Sequence, residues 1–240
     1  MSLATDHRLS RASDRPAPDN RAVAVWLLAC CLVVLAIVVV GGITRLTESG
    51  LAIMERAPLA GALPPLSAAE WQRVFDLYRA IPQYDALNAG MSLAEFKGIF
   101  WWEWLHRFLA RAIGVVFALP FLWFLIRRRI PRGLAPHLAA LFLLGGLQGF
   151  LGWFMVSSGF FEPASVSQYR LTLHLGLALA IYGYMLWLAL SLLHPQPEPM
   201  APTVADASRH RLVALLILAG ITIFFGGFVA GLDGGFIYNT

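Results

Sequence analysis

Two histidines stand inside long apolar stretches of this 240-residue chain. His106 follows Trp101-Trp102-Glu103-Trp104-Leu105, and His174 lies in Tyr169-Arg170-Leu171-Thr172-Leu173-His174-Leu175-Gly176. An ionisable side chain within an apolar span is costly unless it is paired or functional. Imidazole is also a common ligand of iron and other metals, so this pair is the first candidate for the chemistry.

Around His106 the sequence is unusually polar. Glu103, His106 and Arg107 fall at i, i+3 and i+4 on one helix face, with Arg111 a turn further along. An intrahelical ion pair between Glu103 and Arg107 accounts for two of these groups, since long side chains near a helix end reach the interface. It leaves His106 without a task.

The elements that must position these groups are membrane helices. Hydrophobic residues make up 58% of the chain and charged residues 13%, with a mean hydropathy of +0.67, far from the balance of a soluble domain. Five segments approach or exceed the roughly 20 apolar residues that cross a bilayer: Val23 to Ile43, Ile99 to Ile126, Leu138 to Val156, Leu171 to Leu193 and Leu212 to Leu232. The reading is an all-α integral membrane protein: a four-helix transmembrane bundle plus a fifth helix that begins a second parallel repeat. Residues 1–21 form a cytoplasmic tail, 22–193 the four-helix unit with an outer loop at 45–97, 194–211 a cytoplasmic linker, and 212–240 the first helix of a second, incomplete repeat.

The net charge of +4 does not indicate nucleic acid, because the arginines cluster at helix ends. Arg8, Arg11, Arg15 and Arg21 precede the first span, and Arg127, Arg128, Arg129 and Arg132 fill the short loop after the second. The positive-inside rule puts both regions in the cytoplasm and the long loop outside. Asp6, Asp14 and Asp19 in the tail argue against a mitochondrial transit peptide, which is poor in acids. A multi-pass protein of a bacterial inner membrane is expected. Cys30 and Cys31 are helix neighbours whose side chains diverge by about 100°, so they read as apolar filler instead of a disulfide or zinc pair.

Two further patterns organise the chain. Gly41-Gly42-Ile43-Thr44-Arg45-Leu46-Thr47-Glu48-Ser49-Gly50-Leu51 aligns without gaps on Gly226-Gly227-Phe228-Val229-Ala230-Gly231-Leu232-Asp233-Gly234-Gly235-Phe236. The copies lie four helices apart and enter the membrane from the same side, as parallel repeats do. In the outer loop, Ser67 with Glu70 and Ser92 with Glu95 have capping-box spacing, predicting helix starts at both. The first of these helices carries Trp71, Phe75, Leu77 and Tyr78, which are expected to pack on the ends of the bundle.

Depth links the histidines. Counted from Ile99, His106 lies about 10 Å into the membrane, and counted from Arg170, His174 lies about 6 Å in. Facing histidines at similar depth on two bundle helices can grip a haem edge-on with iron between the imidazoles. Arg45, Arg107 and Arg170 near the outer ends can pair with its propionates. A zinc or non-haem iron site with Glu103 as third ligand stays open on spacing alone. Gly145, Gly146, Gly149 and Gly152, beside Gln148, allow the close helix approach that a flat macrocycle needs, though glycine stripes also serve plain packing.

At this point the residues carry a family resemblance. The stretch from Gly41 to Leu51, Pro64-Pro65-Leu66-Ser67, Glu95-Phe96-Lys97-Gly98-Ile99-Phe100, Glu103-Trp104-Leu105-His106-Arg107, Gln148-Gly149-Phe150-Leu151-Gly152-Trp153-Phe154-Met155-Val156 and Ser167-Gln168-Tyr169-Arg170-Leu171 with His174 resemble haem A synthase, in order, from about Gly41 to Thr240. The resemblance implies an oxidoreductase of two four-helix halves that oxidises the C8 methyl of haem O to the formyl group of haem A for cytochrome oxidase. It implies haem O bound at the Glu-x-x-His motif, with Glu103 catalytic and His106 and His174 on the iron, and a haem b cofactor in the C-terminal half. No second Glu-x-x-His follows Asp233, so most of that half is expected to be missing from this chain. The outer loop lacks cysteine, as in the proteobacterial and mitochondrial type. Partners on this reading are haem O, the lipid bilayer, haem O synthase, an electron donor and a further copy of the chain. Two other classes remain open: a bis-histidine membrane cytochrome that relays electrons without altering haem, and a transporter, which would bind near the midplane instead of in the outer third.

Overall fold

The computed structural model describes residues 19–55, 63–158, 166–195, 202–232 and 234–237. These form α1 (Asn20–Leu46), α2 (Ala68–Arg79), α3 (Pro82–Leu87), α4 (Leu93–Ile126), α5 (Ala135–Ser158), α6 (Gln168–Leu193), α7 (Pro202–Gly231) and α8 (Gly234–Ile237), with no strand among the described residues. Five helices are long and apolar enough to cross a membrane: α1, α4, α5, α6 and the stretch Asp206–Gly231 of α7. The chain is an all-α, multi-pass membrane protein. All five expected spans fall on these helices, although Leu232 lies just past the end of α7. Arg8, Arg11, Arg15 and Asp233, on which parts of the sequence reading drew, lie outside the described residues.

Both capping boxes are formed. Ser67 accepts from the Glu70 amide and Ser92 from the Glu95 amide, and each glutamate reaches back to its serine. The second box explains why α4 begins at Leu93, well before the apolar run at Ile99: its first turns rise out of the membrane and offer a shelf to the loop.

α1 packs on α4 and α6, and α5 packs on the same two helices, which closes a ring. Across its interior α1 faces α5 and α4 faces α6. α7 lies outside the ring against α6, and most of its apolar side chains are exposed, as lipid-facing residues are. At the end away from the long loop, Trp26, Leu27, Cys30, Cys31, Phe117, Phe124, Leu138 and Met185 fill the ring. The two cysteines are free and buried, in keeping with a filler role.

Pro120 sits inside α4 and has no N–H to give the Val116 carbonyl one turn back. The Trp26 indole of α1 donates to that carbonyl at 2.9 Å. In lipid an unsatisfied backbone group costs several kcal/mol, so this bond both satisfies α4 and ties it to α1.

A second core lies under the loop. Phe75 and Tyr78 of α2 are buried against Phe96 and Phe100 of α4, and Trp71 meets Phe100 edge-on at 4.9 Å. Each such burial contributes about 1.5–3 kcal/mol where water is the alternative. These three residues pack on the helix end as the sequence suggests. Leu77 is less enclosed, 39% exposed at the edge of a cavity it lines with Val74, Phe100 and Trp104.

Candidate functional site

The site is assembled at the loop end of the ring. α1 and α7 finish there, α4 and α6 begin there, and the C-terminal half of α5 reaches it. Beyond α1 the chain turns through Glu48, whose φ of 52° is left-handed, and Gln83 of α3 donates to the Glu48 carbonyl at 3.1 Å. Leu51, Ala52 and Ile53 are then driven into the bundle mouth and buried.

Glu103 and Arg107 of α4 hold that segment. The Glu103 carboxylate, 3% exposed, accepts from the Ile53 amide at 2.6 Å and meets the Arg107 guanidinium at 2.5 Å. The neighbouring Ala52 amide donates to the Ser49 carbonyl at 3.2 Å. Arg107 in turn donates to the carbonyls of Ile53 at 3.0 Å and Glu55 at 3.4 Å. The i, i+4 ion pair expected from spacing is therefore formed, and it clamps residues 51–55 against α4. Outside it, Glu55 pairs with Arg73 of α2 at 2.5 Å; that bond holds the Glu55 carboxyl below its ordinary range.

The two histidines occupy facing helices. The His106 ring of α4 leans on α1: a Cβ added to Gly41 would stand 2.9 Å from its Cε1, and Ile37 offers a backbone hydrogen bond. The His174 ring of α6 leans on α5 in the same way, 3.0 Å from a Cβ on Gly152. Any side chain at either glycine would displace an imidazole, so both positions require the missing Cβ. The two rings lie close enough to interact electrostatically across the bundle. His106 Nδ1, the ring nitrogen nearer Gly41, is buried without a hydrogen-bond partner.

Gln148 of α5 completes the His174 side. Its amide nitrogen stands 3.1 Å from His174 Nδ1, 3.4 Å from Nε2 and 3.0 Å from the His174 carbonyl. The other arginines are engaged at the same end. Arg170 donates to the Phe154 carbonyl at 2.9 Å and lies over the Phe154 ring, and Arg45 donates to Ala230 of α7 at 3.0 Å. That last bond joins the ends of the two sequence repeats, so α1 and α7 run in the same direction.

Imidazoles on opposed helices, each cradled by a glycine, fit a flat iron macrocycle between α4 and α6. The alternative of a small three-ligand metal site is not formed. Among the described residues no group of three His, Cys, Asp or Glu side chains could hold a metal ion, and Glu103 is turned to Ile53.

A family model described as cytochrome oxidase assembly protein matches residues 24–240. The chain belongs to that family. It is 58% identical over 226 residues to the haem A synthase of Rhodospirillum centenum, covering 94% of this chain and 60% of that protein. It is 50% identical over 240 residues to that of Paramagnetospirillum magneticum, covering 99% and 68%. With that of Parvibaculum lavamentivorans it is 50% identical over 229 residues, covering 95% and 65%. The chain thus spans about 60% of the first relative's length. No solved structure matches it significantly.

Within this family member the structure brings Glu103, Arg107, His106 and His174 to one end of one bundle, with Arg45 and Arg170 at its rim. Sequence reasoning gave no role to Gly41, whose need is visible only from the His106 ring, and mentioned Gln148 merely as a neighbour of glycines. A polar amide in an otherwise apolar span is the signal that could have marked it.

Proposed function

We propose that this chain is a haem A synthase, binding haem O in its four-helix unit and oxidising the C8 methyl to the formyl group of haem A. The observation that carries the reading is the opposed pair His106 and His174, each cradled by a glycine of the neighbouring helix. Relatives named haem A synthase, matched over most of this chain, support it.

On this reading His106 and His174 bind the iron of haem O from its two faces and fix the plane of the macrocycle. Gly41 and Gly152 let the rings approach. Arg45, Arg107 and Arg170 supply positive charge at the rim for the propionates. Glu103, one turn before His106 and held by Arg107 and the Ile53 amide, is the carboxylate assigned to stabilise positive charge or take up protons at the macrocycle edge. The segment 51–55 closes the mouth against water. In the family a haem b held by the C-terminal half would supply electron transfer, and haem O synthase, an electron donor and a second copy of the chain are the proposed partners. The inner membrane of a bacterium, with the N-terminus in the cytoplasm, is the location that the arginine distribution supports.

The test is chemical. The full-length protein is incubated with haem O and a reductant, and the haem is extracted and identified. Haem A, or its hydroxylated precursor, is the expected product. Unchanged haem O that cycles reversibly between redox states would replace the synthase with an electron relay.

A further inference from the structure

We propose that Gln148 is the positioning residue for His174, its side-chain amide turning to accept a hydrogen bond from the imidazole when that ring binds iron. The inference rests on the haem-binding reading above.

As the residues stand, the amide nitrogen of Gln148 faces both ring nitrogens, at 3.1 and 3.4 Å, and the His174 carbonyl at 3.0 Å. An amide nitrogen only donates, so the ring nitrogen it meets must offer a lone pair. A neutral imidazole has one lone-pair nitrogen and one N–H. Iron requires the lone pair, and the amide N–H competes for it. Whichever nitrogen takes the iron, the other then carries the hydrogen and needs an acceptor.

Gln148 already holds that acceptor. Its Oε1 is buried with no hydrogen-bond partner, an expensive state inside a bundle. Turning the amide about its last torsion, which is soft, brings Oε1 to the imidazole N–H and gives up the tie to the His174 carbonyl. The imidazole proton ends on the nitrogen away from iron, and no net charge changes. Gln148 and Gly152 are a single turn apart on α5, so one helix face supplies both the cradle for the ring and the group that orients it. Were Gln148 only a tie between α5 and α6 through the His174 carbonyl, Leu and Glu at this position would weaken haem binding alike.

The full chain in detergent is titrated with iron protoporphyrin IX and followed by its Soret band, for wild type, Gln148→Leu, Gln148→Glu and His174→Ala. Loss of the acceptor in Gln148→Leu should weaken binding by about 10- to 100-fold, the usual effect of removing a ligand's hydrogen-bond partner. Gln148→Glu keeps an acceptor and loses the competing donor, so it should bind as tightly as wild type or tighter. Equal weakening of Leu and Glu variants would assign Gln148 to the helix tie and overturn the proposal, as would a Leu variant that binds like wild type. Should Gln148→Leu fail to fold, a folded Gln148→Glu decides alone, and weaker binding by it is the refuting result. Undiminished binding by His174→Ala would remove the ligation reading itself; loss there with no effect of Gln148→Leu would remove only this inference.

Discussion

Replacing Glu103 with Gln probes the clamp and the chemistry together. The substitution keeps the side chain's shape but leaves one oxygen where there were two, one at 2.6 Å from the Ile53 amide and one at 2.5 Å from Arg107. Whichever way the new amide faces, its NH2 opposes a donor, either the loop amide or the guanidinium. At least one charge-assisted hydrogen bond is lost, worth about 1.5–3 kcal/mol. At roughly 1.4 kcal/mol per tenfold, the segment 51–55 should open about 10- to 150-fold more often. Hydrogen–deuterium exchange at the Ile53 amide reads this directly, and exchange at the wild-type rate would refute the clamp. Conversion of haem O is measured on the same variant, with haem retained. Loss of a proton acceptor at the reacting edge costs about 10²- to 10⁴-fold. A loss of that size with unchanged exchange assigns Glu103 to the chemistry alone, whereas normal haem A yield would leave it only the partner of Arg107 and the loop.

The other expectations are simpler. His106→Ala and His174→Ala should each weaken or abolish haem binding in the four-helix unit; an unchanged Soret spectrum in His174→Ala would sink the shared-iron model. Trp26→Phe strands the Val116 carbonyl beneath Pro120 and should lower stability by about 1–3 kcal/mol in a detergent unfolding titration; an unchanged midpoint would refute that role for the indole. Because Arg73 depresses the Glu55 carboxyl, this pair supports the loop fully above the unfolded carboxylate value of about 4.3. Its support should fade as pH falls below that value through the lower folded one, read as faster proteolysis of the loop near pH 3 and weakened by salt at neutral pH. A reporter active only outside the cytoplasm should work when fused at Asp85, and activity there of a cytoplasm-only reporter would invert the topology.

The number and place of the membrane helices were legible in the sequence, because in lipid a run of apolar residues must satisfy its own backbone and helix is the economical way to do so. Capping boxes were equally readable, since Ser92 and Glu95 act on each other within a single turn. His106 and His174 were also legible as candidates, because an unexplained imidazole in an apolar span stands out without any knowledge of its neighbours. What no local pattern contains is which helix lies across from which. The ring that sets α4 opposite α6, the pressing of His106 on Gly41 and of His174 on Gly152, and the grip of Glu103 on Ile53 from fifty residues away come from packing between helices. The same holds for Trp26, whose indole is needed only because Pro120 on another helix leaves a carbonyl bare. Side-chain type and spacing pointed to a metal-binding chemistry. Its partners, cradles and clamps were decided by contacts among residues far apart in sequence, because tight packing and hydrogen bonding act over a few ångströms of space and not along the chain.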